Sequence, residues 1–274
     1  MLVNYQHTSK SQNLHDILLE YGFSDHKTHP LDSTFINHVY SEWLKFFLTQ
    51  EKELFLYDKT SRDGFYPMQT EVAEGHSIAD LKEFFMYYPK GQCPEYLKQD
   101  TQDLYAELTT ISQEILDILW ENLPYELRST LPLPLGEMID VHTRTVLRIL
   151  HYPALNNTFP ENAIRAYDHT DINLITLIPR TTAPGLQVKK QADWVDIPFG
   201  EEWLTMNIGD MLQAYTKGYY TSTVHRVLNP LQDTNTPRLS MPFFVHPRDD
   251  DFISEQYPKS RLFLDERLKN NGVI

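Results

Sequence analysis

The sequence predicts a mainly β protein, with a double-sheet core of sandwich or barrel type and helices packed against its outside. Two textures and one absence lead there. From about residue 141 onward, short β-branched and aromatic runs recur between Pro, Gly, Asn and Asp, the pattern of short strands joined by turns. Before that point apolar residues fall three and four apart, which is helical spacing. No repeat, low-complexity tract or Gly/Ser-rich linker divides the 274 residues, and one β domain can approach that length. The expected organisation is a single domain over 1–274, with a mostly helical region at 1–140, the β core at 141–247, and a C-terminal helix and tail at 248–274.

The elements follow in order. Leu14, Ile17 and Leu18 predict a first helix, and Phe35, Val39, Trp43 and Phe47, four apart, predict a longer one over about 34–47. Ser77, a capping residue type, predicts a short helix through Leu81, Phe84 and Phe85. Leu104, Leu108, Ile111, Ile115, Leu116 and Leu119 predict a helix over about 102–119, ended by Pro124 and Leu131-Pro132-Leu133-Pro134. Strands are expected over 145–152, 174–178, 186–188, 203–208, 219–227 and 239–245, and a last helix over about 254–268.

Composition narrows the partners. The net charge of -14 opposes nucleic acid and anionic membranes, and no Lys/Arg cluster offsets it. There is no apolar run of membrane-spanning length, and Met1 to His7 lacks the pattern of a secretory signal. Cys93 is the only cysteine, so no internal disulfide forms, and a reducing, cytoplasmic location is expected. Neither a monomer nor a weak homodimer is favoured by the sequence.

The chemistry gathers in the β region. His169 and Asp171 sit two apart just before the strand-like Asn173-Leu174-Ile175-Thr176-Leu177-Ile178. In extended chain they share a face and offer an imidazole and a carboxylate to one cation. His225, in Thr223-Val224-His225-Arg226-Val227, is the natural third ligand. Two histidines and a carboxylate form the facial triad of non-haem iron(II) sites, which leaves coordination positions open, unlike a closed structural zinc site. Alone, His-x-Asp reads as readily as a loop histidine beside a capping Asp; the residues that follow change the balance. Arg238 and Ser240, thirteen and fifteen positions after His225, share a strand face and suit a carboxylate. Tyr152 offers a phenol as a further donor.

As a set these segments resemble the isopenicillin N synthase-like branch of the iron(II)- and 2-oxoglutarate-dependent dioxygenases. The resemblance rests on His151-Tyr152-Pro153, His169-Thr170-Asp171 with Leu174 to Leu177 behind it, Gly185-Leu186-Gln187-Val188, Trp194, Asn207-Ile208-Gly209-Asp210, His225-Arg226-Val227, and Arg238-Leu239-Ser240 with Pro242, Phe244 and Pro247. It covers about 145–247 in the family's order and is weaker before that. It implies a double-stranded β-helix, or distorted jelly roll, with iron(II) at its open end held by His169, Asp171 and His225. It also implies 2-oxoglutarate clamped by Arg238 and Ser240 with help from Tyr152, and oxidation of a small molecule by dioxygen. One position departs from plant relatives, which often carry Asn where this chain has Leu150. The carboxylate ligand Asp171 argues against halogenation.

For substrate contact, simple alternation places Arg165 and Tyr167 on the face of His169, with Leu150 and Phe243 as further pocket candidates. Arg165 would suit an anionic metabolite, or else pair with a structural carboxylate. His142, His151 and His246 are expected to be structural or exposed. Two other readings stand beside the dioxygenase: an oxidase or cyclase of the isopenicillin N synthase type that uses no 2-oxoglutarate, and a non-enzymatic jelly-roll ligand binder. The tail Lys269 to Ile274 has no Gln of the kind that ligates resting iron in isopenicillin N synthase, which favours the dioxygenase. The stretch from Tyr57 to Thr70 carries no readable motif.

Overall fold

The computed structural model describes residues 10–26, 31–72, 75–155, 159–160, 162–199 and 204–270. The readings made on Met1 to His7, on Trp203 and on the tail from Asn271 lie outside them. Among the described residues twelve strands form two antiparallel sheets. They are β1 (Phe23–His26), β2 (Gly64–Tyr66), β3 (Glu83–Tyr87), β4 (Val146–Tyr152), β5 (Ala166–His169), β6 (Ile175–Pro179), β7 (Leu186–Lys190), β8 (Asp193–Asp196), β9 (Leu204–Ile208), β10 (His225–Val227), β11 (Arg238–Ser240) and β12 (Phe243–Val245). The larger sheet runs β1-β9-β6-β12-β4-β3-β2 with β11 also on β4, and the smaller runs β5-β10-β7-β8. Two facing antiparallel sheets are the jelly-roll arrangement the sequence led us to expect.

Six α-helices accompany them among the described residues: α1 (Lys10–Tyr21), α2 (Ser33–Phe47), α3 (Glu95–Glu121), α4 (Tyr125–Arg128), α5 (Asp210–Tyr215) and α6 (Ser260–Asn270). Asp32 caps α2 by accepting the backbone N–H of Thr34 at 2.8 Å. Its buried stripe of Ile36, Val39, Tyr40, Trp43, Phe46 and Phe47 packs with Leu104, Leu108, Ile115 and Leu119 of α3 onto the outer face of the large sheet. Trp43 is fully buried, lies 5.0 Å from the Phe85 ring and donates its indole N–H to Thr101 at 3.1 Å. No helix among the described residues is long and apolar enough to cross a membrane.

The large sheet is covered on both faces, and this explains one failed expectation. The short helix expected through Leu81, Phe84 and Phe85 is instead β3, and β1 and β2 also lie in the half expected to be mostly helical. On β3, Phe84 faces the smaller sheet and Phe85 faces the helices. A strand buried on both sides loses the polar alternation that identifies strands. The expected strand over 219–227 shrinks to β10, because Tyr219 and Tyr220 pack beside α1 around His15. The 3.6-residue pattern was too short to reveal α5.

Candidate metal and carboxylate site

An apolar cluster between the sheets includes Tyr66, Phe84, Leu150, Tyr152, Ala166, Ile178, Leu186, Val188 and Val227. At one end of it three polar side chains converge. His169 and His225 are cross-strand partners on β5 and β10, with ring centroids 4.4 Å apart. Asp171 follows β5 immediately, and its Oδ1 lies 3.9 Å from His169 Nε2 and 3.7 Å from His225 Nε2. One donor atom from each of the three lies within 4.8 Å of the others.

Each donor is aimed by a second contact. His169 Nδ1 is 2.7 Å from the carbonyl of Tyr167, and His225 Nδ1 is 3.1 Å from that of Thr223. A carbonyl accepts only, so Nδ1 carries the proton and Nε2 keeps its lone pair for a cation. Burial and the facing His225 push His169 down to about 4, which keeps its imidazole neutral. Asp171 Oδ2 accepts from Thr176 at 2.6 Å and Asn207 at 2.8 Å, which turns Oδ1 toward the imidazoles. Burial alone would raise the Asp171 carboxyl, but the two imidazoles and these hydrogen bonds hold it below the usual carboxylate value. Two imidazole nitrogens and one carboxylate close together are a donor set that fits a divalent first-row metal.

Arg238 stands at the other end. It pairs with Tyr152 across β11 and β4, with its guanidinium 5.1 Å from the tyrosine ring. It is 1% exposed, Nε donates to the carbonyl of Ala183 at 3.1 Å, and Nη1 has no partner among the described residues. No carboxylate among the described residues acts on it; burial lowers its affinity for the proton, against Tyr152 and Tyr40. A buried cation in that condition calls for an anionic guest. Ser240, two residues on and also buried, pairs with Leu150 on β4.

The structure rearranges the expected substrate contacts. Between β5 and β10 the register slips, so that His225 and Val227, two apart, face His169 and Ala166, three apart. This bulge breaks the alternation from which Arg165 and Tyr167 were placed beside His169. Tyr167 stacks on His76 with ring centroids 4.1 Å apart and donates its hydroxyl to the carbonyl of Asn162. Arg165 is buried beside Tyr152, 5.9 Å from its ring, and donates to the carbonyls of Thr236 and Pro153. Burial and the neighbouring Arg238 lower it to about 10. It meets no structural carboxylate among the described residues, and it lies beside Tyr152 and Arg238. Phe243 is a further correction: it is fully buried on the helix side, edge-on to Tyr105 at 4.9 Å. Leu150 does face the interior.

Several residues were missed. Phe244, not Phe243, faces inward: it pairs with Thr176 across β12 and β6, and the Arg148 guanidinium lies 5.2 Å from its ring. Arg148 also lies 4.6 Å from the Phe84 ring and contacts Glu71, which in turn reaches Lys82. His246, expected to be structural or exposed, lies within electrostatic reach of Asp171 and Arg148. Counting by twos along 238, 240, 244 and 246, or back from Tyr152 to Arg148, would have found three of these. Glu71 sits on a loop, where no periodicity applies.

Residues 143–247 match the 2OG-Fe(II) oxygenase superfamily. An oxygenase of Shewanella oneidensis known from a crystal structure is 38% identical, with a TM-score of 0.87 over 98% of each chain. Gibberellin 2-beta-dioxygenase 2 of Arabidopsis thaliana is 31% identical over 158 residues, 57% of this chain and 45% of that protein, so the match spans about half of the curated relative. The crystal structure of Neurospora crassa T7H in complex with alpha-KG shares the fold, with 24% identity, a TM-score of 0.76, and 95% and 91% of the two chains covered.

Proposed function

This chain belongs to the 2OG-Fe(II) oxygenase superfamily, and on that premise we propose that it is an iron(II)- and 2-oxoglutarate-dependent dioxygenase, of the isopenicillin N synthase-like branch, acting on a small molecule. The single domain holds iron through His169, Asp171 and His225 and the far carboxylate of 2-oxoglutarate through Arg238 and Ser240, with Tyr152 beside them. The observation that carries this reading is the buried Nη1 of Arg238, without a partner among the described residues, in a fold that also brings three metal-binding donors together. That arrangement asks for a guest with an anion at one end and metal-chelating oxygens at the other.

When bound, iron and the 2-oxo acid supply the oxidative chemistry, with dioxygen consumed and succinate and carbon dioxide released. The chain supplies the rest. Thr176 and Asn207 fix which Asp171 oxygen faces the metal, and the carbonyls of Tyr167 and Thr223 hold both imidazoles in one tautomer. Arg238 orients the co-substrate, and Leu150, Ile178, Leu186 and Val227 keep water from its length. The product is hydroxylated, desaturated or cyclised according to how the second reactant is held. The anionic metabolite suggested by Arg165 loses its support, because that residue lies beside Arg238.

The test is anaerobic addition of iron(II) and 2-oxoglutarate to the purified protein. A visible charge-transfer band, followed by succinate on admission of oxygen, is the expected result. Oxygen uptake without succinate would favour the oxidase reading, and neither signal would leave a ligand-binding protein.

A further inference from the structure

Building on the dioxygenase reading, the charges around the chamber bear on the class of the primary substrate. The cations divide into two sets. Arg238 and Arg165 lie at the Tyr152 end with no carboxylate acting on them among the described residues. Lys82 and Arg148 lie on the β3–β4 wall, and both are neutralised. Lys82 Nζ is 2.6 Å from Glu71 and 2.7 Å from Asp80, and Arg148 Nη1 is 3.3 Å from each Glu71 oxygen. Two cations and two carboxylates leave this wall without net charge. Burial would raise Glu71, but Arg148 and Lys82 hold it far below the usual carboxylate range, so the pairs are ionised.

This wall adjoins the three donors. Arg148 lies over Phe244, Phe244 pairs with Thr176, and Thr176 donates to Asp171. Glu71 and Lys82 both act electrostatically on His169. Along β4, Arg148 and Tyr152 are four residues apart, about 13 Å in extended chain. A co-substrate stretched toward Arg238 therefore leaves the Arg148 end to the second reactant.

We propose that the primary substrate is an uncharged polar molecule of amide, lactam or alcohol type, held against Arg148, Phe244 and His246, and that Glu71 is the specificity-determining residue that keeps carboxylates and phosphates out. An anionic group reaching Arg148 or Lys82 has to displace Glu71 and leave its half-buried carboxylate without either cation, which is unfavourable. A cation finds both carboxylates already engaged. An uncharged molecule disturbs neither pair and can use the Arg148 Nε and His246 Nδ1, both buried without partners among the described residues.

The experiment loads the protein anaerobically with iron(II) and 2-oxoglutarate, reads the loading from the visible band, and titrates two matched probe pairs by calorimetry: nicotinamide against nicotinate, and benzamide against benzoate. The wild type is expected to bind the amides at least about tenfold more tightly than the acids. Glu71→Gln, which leaves the wall with one excess positive charge, is expected to cancel or reverse that ratio without changing the affinity for 2-oxoglutarate. Glu71→Gln/Arg148→Gln, which restores neutrality, is expected to bring the amide preference back; it also serves if the single variant folds poorly. No band sinks the dioxygenase reading and this inference with it. A normal band overturns this inference alone if the acids bind as well as the amides, if the ratio ignores Glu71→Gln, or if neither probe class binds.

Discussion

Replacing Arg238 by Met separates a binding role from a structural one, because the two predict opposite changes in stability. The guanidinium is buried, donates to the Ala183 carbonyl, lies beside Tyr152, and has no carboxylate partner among the described residues. Met keeps much of its volume and removes the unpaired charge. Losing the bond to Ala183 costs about 1 kcal/mol, while relieving a buried charge with an apolar side chain is neutral or stabilises by roughly 1–4 kcal/mol. The unloaded variant should therefore melt no lower than the wild type. Loss of one partner of a buried charge pair costs about 2–5 kcal/mol in binding, so the dissociation constant for 2-oxoglutarate should rise by roughly 30- to 5,000-fold. Iron binding should persist, because Arg238 contacts none of the three donors. The assays are thermal melting without ligand and titration of the visible band with 2-oxoglutarate. A lowered melting temperature with unchanged 2-oxoglutarate affinity would refute the argument, since it would make Arg238 a structural residue.

Other perturbations test other parts of the site. His225→Ala should abolish stoichiometric iron(II) binding while leaving the circular dichroism spectrum unchanged; full retention of iron would remove His225 from the ligand set. Thr176→Val frees Asp171 Oδ2 from one of its two donors and should weaken iron by about 10- to 100-fold, with equilibrium dialysis as the measurement and unaltered affinity as the contrary result. Trp43→Ala should cost about 3–5 kcal/mol in denaturant unfolding, as expected for a fully buried indole in the helix-side core. Burial and nearby Arg144 push His246 down to about 4, whereas its unfolded value is about 6.5. The unfolded chain then binds the extra proton first, so stability falls as pH drops from about 6.5 toward 4, by roughly 2–3 kcal/mol. His246→Asn should flatten that slope, and an unchanged slope would show that other groups set it.

The parts of the site that were legible in the sequence obey short-range geometry. His169 with Asp171, and Arg238 with Ser240, were readable as pairs because residues two apart in extended chain share a face, whereas Tyr152 was reached through the family resemblance. What escaped had three physical causes. The bulge in β5 adds one residue, so Tyr167 turns away from the face of His169. Burial on both faces disguised β3, and with it Lys82 and Phe84. Glu71 reaches Arg148, 77 positions away, from a loop, and a partnership at that separation leaves no local trace. Phe243 was a different failure. The strand rule was available, but the chain parity set by Arg238 and Ser240 points to Phe244.

The division of charge also carries an energetic cost within the fold. Arg238 and Arg165 are two like charges near one tyrosine, and their mutual repulsion contributes to lowering Arg165. The three metal donors are likewise oriented before any cation arrives. Holding these groups ready requires support from the fold, and the aromatic core between α2 and the large sheet, with Trp43, Phe46, Phe47 and Phe85 in mutual contact, is suited to give it. A guest that supplies two carboxylates and a cation relieves both strains at once. Any ligand that binds only the folded state adds stability according to its concentration relative to its dissociation constant. Loading should therefore raise the melting temperature more with metal and 2-oxo acid together than the sum of either alone. The excess should vanish in Arg238→Met, where only the metal end of the guest still finds its partner.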